Sequence, residues 1–163
     1  MTQARGRLIG VTGHRTLSDL TRQLVFDAVK NELRGIPRPM VVTSLAAGAD
    51  QLSACAALEV GACLSVIVPA RNYISSFSAA VDASNYQMLL SQAAEVKHMP
   101  YEEPSEEAYL AAGQEVVDLT DTLLAIWDGL PARGLGGTAD VVRYARSVGR
   151  RVVVIWPRGS ARS

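Results

Sequence analysis

The stretch from Leu123 to Trp156, LLAIWDGLPARGLGGTADVVRYARSVGRRVVVIW, leaves the chain few ways to fold. Two apolar runs, Thr122 to Trp127 and Arg151 to Trp156, bracket a glycine-rich loop and a segment whose apolar residues recur at helical spacing. Strand, loop, helix and strand in that order make a β-α-β unit, which requires parallel strands and a right-handed crossover. The glycines fall where the helix begins. Backbone N–H groups there lack intrahelical partners and lie at the positive end of the helix dipole, a setting that suits a phosphate or another anion. Gly136 and Gly137 omit the Cβ atoms that would block close approach. Thr138 supplies a hydroxyl able to cap the helix or reach an oxygen.

The same grammar runs upstream. Arg7 to Thr12 reads as a strand followed by the turn Gly13-His14-Arg15. Ser18 and Asp19 open a helix whose Leu20, Leu24, Val25, Ala28 and Leu33 recur at helical spacing, up to the breakers Gly35, Pro37 and Pro39. Met40 to Leu45 is a second strand, and Ala46-Ala47-Gly48-Ala49-Asp50 turns into a second helix that Gly61 stops. Ala62 to Val68 is a third strand, Phe77 to Gln92 a third helix and Glu95 to Met99 a weak strand. Ser105, with Glu106 and Glu107 behind it, caps a helix to about Leu119. Continuous apolar strands alternating with helices predict an α/β, doubly wound, mostly parallel sheet with helices on both faces, in one domain spanning 1–157. Residues 158–163 read as a frayed tail.

In such a sheet, ligands bind at the carboxyl ends of the strands near the point where strand order reverses. All three glycine junctions follow a strand's carboxyl end, so they are expected to share one crevice. The chain has 163 residues, 48% hydrophobic and 20% charged, with 16 basic against 16 acidic side chains. That balance lacks the basic surplus by which proteins neutralise nucleic-acid phosphates, and it speaks against bulk nucleic-acid binding. Cys55 and Cys63 sit in apolar surroundings without C-x-x-C spacing and read as reduced core thiols. No residue pattern reads as a metal site, and no apolar segment is long enough for a bilayer. With no leader visible at the start, a soluble cytoplasmic protein is expected.

The junctions taken together resemble the superfamily of Rossmann-like nucleotide-binding proteins that includes DprA/Smf, the LOG enzymes and YpsA-type proteins, often called SLOG. GVTGHR is similar to the YpsA-type strand ending in T-G-x-R. VVTSLAAGADQLSACAALEVGACLSVIVP follows the DprA and YpsA order of strand, small-residue turn with Gly-x-Asp, helix, and strand ending in Pro. NYQMLLSQAAEV, VVDLTDTLLAIWDG and GGTADVVRYA continue the YpsA-type order. The resemblance implies a Rossmann-like fold, a homodimer or higher homo-oligomer, and binding of a nucleotide or nucleotide-derived ligand, with or without Mg²⁺. It places Gly136, Gly137 and Thr138 against phosphate, with Gly48, Ala49 and Asp50 near the same groove. LOG phosphoribohydrolases carry a catalytic Glu in P-G-G-x-G-T-x-x-E. Here the segment is RGLGGTADV, with Val141 at that position and Asp140 as the nearest acid.

The candidate nucleotide-binding residues are therefore Thr12, Gly13, His14, Arg15, Ser44, Gly48, Ala49, Asp50, Tyr73, Asp128, Gly129, Arg133, Gly136, Gly137 and Thr138. Arg15 is placed to hold a phosphate, or else to make a rim salt bridge. His14 is a donor or an acid-base group. Asp50 accepts from a ribose hydroxyl, helps hold Mg²⁺, or only satisfies a helix start. Asp128 makes a ribose contact or an Asx-turn. Tyr73, in a polar loop, is a candidate to stack a base, and Arg133 to close over the ligand. Three functions fit: a nucleotide sensor or regulator, a nucleotide N-glycosidase or nucleoside transferase, and a DprA-like single-strand DNA binder. The second needs a carboxylate at the anomeric carbon, for which Asp50, Asp128, Glu115 and Asp140 are the candidates. A pyridoxal phosphate lysine decarboxylase is excluded, because Lys30 and Lys97, the only lysines, lie at no glycine junction.

Overall fold

In the computed structural model, which describes residues 7–131 and 137–163, strands and helices alternate along the chain. The strands are β1 (Leu8–Gly13), β2 (Met40–Thr43), β3 (Cys63–Val68), β4 (Glu95–His98), β5 (Thr122–Ile126) and β6 (Arg151–Val154). The helices are α1 (Asp19–Arg34), α2 (Ala49–Glu59), α3 (Ala80–Ser91), α4 (Glu106–Asp118) and α5 (Thr138–Ser147), with a short 3₁₀ turn at Tyr73–Ser76. One sheet runs β4-β3-β2-β1-β5-β6, and every neighbouring pair is parallel. The doubly wound α/β fold is as the alternation predicts.

Successive residues in a strand point to opposite faces, and this period divides the core in two. Ile9, Val11, Val41, Leu64, Val66, Leu124 and Ile126 pack on the side of α1, α2 and α3. Val42, Ile67, Leu123 and Ala125 pack on the side of α4 and α5. The inner strands are buried on both faces, as their unbroken apolar runs require. The edge strands are not: all of β4 is exposed, and Val154 of β6 is 45% exposed.

Two helix starts, those of α1 and α4, use the expected serine caps. Ser18 Oγ accepts from the Thr21 amide and Ser105 Oγ from the Ala108 amide. Leu20, however, leaves the apolar stripe expected of it and is 60% exposed. The buried face of α1 is Thr21, Val25, Val29 and Leu33, which turns Leu20 outward. Cys55 and Cys63 are exposed, not core thiols: one faces out from α2 and the other opens β3.

The tail is tied to the body of the domain at Ala161 and Arg162. Thr21, fully buried, binds Ala161 in both directions: the Ala161 amide donates to Thr21 Oγ1 at 2.7 Å, and Oγ1 donates to the Ala161 carbonyl at 3.1 Å. The Ser18 amide reaches the same carbonyl at 3.2 Å. A polar tail gains order from such buried partners, here supplied by a residue far away in the chain.

Candidate functional site

Strand order reverses between β1 and β5: the chain winds from β1 through β2 and β3 to β4, then crosses back to β5 on the other side of β1. A cavity of about 470 Å³ opens there, at the carboxyl ends of the strands. The β1 terminus and its turn line it with Thr12, Gly13, His14, Arg15 and Thr16. Ser44, Ala46 and Asp50 enter from the β2–α2 junction, and Gly137, Thr138 and Ala139 from the start of α5. Residues from all three glycine junctions thus meet, although their roles differ.

The Gly48 junction packs tightly against the β1 turn. Gly48 has φ +82°, and a Cβ there would overlap the carbonyl of Arg15. The Ala49 amide at the start of α2 is already used, donating to the His14 carbonyl at 3.0 Å. Neither Gly48 nor Ala49 lines the cavity. Gly13 serves the same contact from the other side: a Cβ there would lie 2.5 Å from Ala49 Cβ and 2.8 Å from Ile126 Cβ. These glycines let the β1 turn sit flush on α2 and β5. At α5 the geometry is different. Gly137 caps the helix with no side-chain hydrogen bond, and the Gly137–Ala139 turn faces the cavity. Early amides of a helix have no carbonyl four residues back, so these are suited to an anion.

Asp50 is buried in the cavity wall, where the Ala46 amide donates to its Oδ2 at 3.3 Å. Burial lifts its pKa from 3.8 to about 7, against the opposing pull of the Ala46 amide, the Thr43 hydroxyl, the Arg15 charge and the Ser44 amide. Around neutrality Asp50 is therefore divided between acid and carboxylate. The Arg15 guanidinium lies 4.7 Å from the centroid of the Tyr109 ring, a cation–π contact that holds the cation at the cavity. Tyr73 also lines the cavity, but it offers little ring face there. Its ring is 3% exposed and wedged edge-on among Phe77, Tyr86 and Tyr109, and burial pushes its hydroxyl pKa well up.

On the β5 side, His14, Asp128 and Arg162 form a chain. His14 Nε2 lies 3.1 Å from Asp128 Oδ1 and 3.0 Å from the Asp128 amide. Neutral imidazole accepts from the amide, whereas the protonated ring donates to the carboxylate, so one nitrogen serves one partner at a time. Arg162 Nη2 donates to Oδ1 at 3.0 Å, and Nε lies 2.7 Å from Oδ2, an ion-pair contact without a hydrogen-bonding angle. Burial alone would raise the Asp128 pKa. The Leu130 amide, Arg162 and His14 outweigh it and hold the carboxylate below its usual range. The Leu130 amide donates to Asp128 Oδ1 at 3.0 Å, so Asp128 makes the Asx-turn, with Gly129 at φ +83° inside it and away from the cavity.

Other candidates fall elsewhere. Glu115 pairs with Lys97 at 3.0 Å, Asp140 contacts Arg143 at 3.3 Å, and neither lines the cavity. Lys30 pairs with Glu59 at 3.2 Å, also away from it. Arg133 and Gly136 lie outside the described residues. Among the described residues, no group of three or more His, Cys, Asp or Glu is placed to hold a metal ion. No helix among them is long and apolar enough to cross a membrane. Sequence reasoning missed one wall altogether. Glu106, Tyr109, Gly113 and Val116 form a stripe along α4 that faces the cavity. Their spacing of three, four and three residues was a usable signal.

Neither a protein-family model nor a curated protein sequence matches the chain. Among solved structures it is similar to DNA processing protein A from Helicobacter pylori, with a TM-score of 0.71 and 16% identity, covering 94% of this chain and 67% of that one. It is equally similar to DNA processing protein A from Streptococcus pneumoniae, with a TM-score of 0.71 and 18% identity. There the match covers 94% of this chain and 51% of the other, so the chain spans about half that protein's length. The molybdenum cofactor binding protein of Rippkaea orientalis follows, with a TM-score of 0.63 and 16% identity, covering 93% of this chain and 77% of that one. At these identities the likeness shows a shared fold, the one the sequence resemblance implied.

Proposed function

We propose that the chain binds a nucleotide or nucleotide-derived anion at the carboxyl edge of β1 and β5, as a sensor or regulator. One observation carries this reading: the Arg15 guanidinium and the uncapped start of α5 line the same cavity. A fixed cation and a helix start converge there on space large enough for a nucleotide. The structural neighbours support ligand binding on this fold, since one binds molybdenum cofactor and another single-stranded DNA.

Thermal-shift and calorimetric titration with AMP, CMP, ADP, NAD and ADP-ribose test the reading, with a single-stranded oligonucleotide in parallel. At least one small ligand is expected to raise the melting temperature. Arg15→Ala should weaken that ligand about tenfold to a hundredfold, the range for losing a charge-assisted hydrogen bond. Gly137→Val should weaken it while leaving the fold intact. A melt shifted by the oligonucleotide alone, or unchanged affinity in both variants, overturns the assignment.

The protonation of Asp50 inside the cavity favours a second reading, cleavage of an N-glycosidic bond. A carboxyl near half-protonation at neutral pH can give its proton to the departing base as water adds to the anomeric carbon and the C–N bond breaks. The other three carboxylates are poorer candidates: Asp128 is locked to Arg162, and Glu115 and Asp140 lie off the cavity. Release of free base, lost in Asp50→Asn while binding persists, would select the enzyme.

A further inference from the structure

We propose that Arg162, carried by the C-terminal tail, is a second cationic ligand-binding residue of the cavity. With Arg15 it would favour ligands bearing two linked phosphates over those bearing one. The inference rests on the nucleotide-binding reading above. Arg162 lines the cavity, and its side chain is only 17% exposed, so its guanidinium is held at the cavity wall rather than spread in solvent.

Asp128 takes up one edge of that guanidinium, the Nη2 and Nε side. The group has five N–H donors in a rigid fork, and engaging one edge leaves Nη1 to meet a ligand oxygen. Asp128 therefore positions the arginine without exhausting it. The carboxylate is in turn fixed by the Leu130 amide at 3.0 Å.

The hardware that holds the tail serves the same end. Ala161 is clamped through both its amide and its carbonyl to Ser18 and Thr21 at the start of α1, just beyond the Arg15 turn. The next residue reaches Asp128 beyond the end of β5. The tail thus joins the α1 start to the β5 loop and delivers Arg162 between them. Two guanidiniums reaching one cavity from different segments match two separate anionic groups better than a single one, because each can bind its own phosphate.

Calorimetric titration with AMP and with ADP tests this in wild type, Arg162→Met, Arg162→Lys and Arg15→Ala. Wild type should bind ADP more tightly than AMP. Arg162→Met should weaken ADP about tenfold and AMP far less, as expected for one lost charged contact, so the preference collapses. Arg162→Lys, which keeps the charge, should restore part of it, whereas Arg15→Ala should weaken both ligands. Melting curves of each variant without ligand separate a lost contact from a loosened fold. Equal affinity for AMP and ADP in wild type, or a preference unchanged in Arg162→Met, overturns this inference and leaves nucleotide binding standing. Wild type that binds neither ligand nor any other nucleotide overturns the parent reading and this one with it.

Discussion

Asp50→Asn is expected to raise the melting temperature at pH 8 and to flatten the fall in stability that the wild type shows as pH rises. In the folded protein burial lifts the Asp50 pKa to about 7, against an ordinary value of 3.8. Between those values the folded chain holds a proton that the unfolded chain has released. Stability is therefore greatest at and below the lower value, declines as pH rises toward about 7, and levels off above it. A shift of this size corresponds to a loss on the order of 4 kcal/mol across the window. Asparagine carries no charge to bury, and its amide oxygen can still accept from the Ala46 N–H. The gain at pH 8 should be roughly 2–4 °C per kcal/mol recovered, with little change at pH 4. Denaturation series at both pH values check it, and parallel pH profiles for the two proteins would refute it.

Ligand affinity should report the same titration. Ionised Asp50 attracts Arg15 and adds negative charge to the cavity wall, whereas the neutral acid leaves Arg15 to the ligand. Binding of a diphosphate should therefore weaken as pH rises through about 7 in the wild type and stay level in Asp50→Asn. The buried acid is thus a stability defect retained at the cavity, which is where such defects are expected to have a use.

The sheet was legible in the sequence because its cause is local. Unbroken apolar runs, the caps Ser18 and Ser105, and the breakers at Gly35, Pro37 and Gly61 each declare an element within a few residues. The position of the site was legible for a related reason: a parallel sheet brings every strand's carboxyl end to one edge, so Arg15, Asp50 and Thr138 had to come near one another. What could not be read depends on contacts between distant segments. Tyr73 looked solvated in a polar loop, but Phe77, Tyr86 and Tyr109 close around it. Arg162 looked like part of a loose tail, yet its partner Asp128 and its anchor Thr21 lie in remote parts of the chain. The α4 stripe was visible as a spacing, but the face it presents depends on how the helix crosses the sheet. The Gly48 turn is ambiguous for a different reason. A glycine before a helix can open an amide to a ligand or admit another backbone, and local sequence does not distinguish the two.

Gly48→Ala separates those roles, and it should be among the most damaging single changes in the chain. Two penalties combine at this position. The backbone holds φ +82° with ψ −122°, a region that residues with a Cβ rarely adopt. The added carbon would also run into the Arg15 carbonyl and lie 2.6 Å from the His14 carbonyl oxygen. Those are backbone atoms of the turn that carries the cavity's cation, so relief requires moving the site itself. Gly61 provides the internal control: its φ is +80°, but a Cβ there meets nothing within 4 Å. Gly61→Ala should cost about 1 kcal/mol, the conformational penalty alone. Gly48→Ala should cost roughly 3 kcal/mol or more once overpacking is added to strain, and nucleotide affinity should fall with it. Gly13→Ala, with normal backbone angles but a Cβ 2.5 Å from Ala49, should fall between them in stability while still disturbing binding. Chemical denaturation of the three variants gives the order. If Gly48→Ala is no worse than Gly61→Ala, the β1 turn is not welded to α2, and the Gly48 amides regain their claim to a ligand.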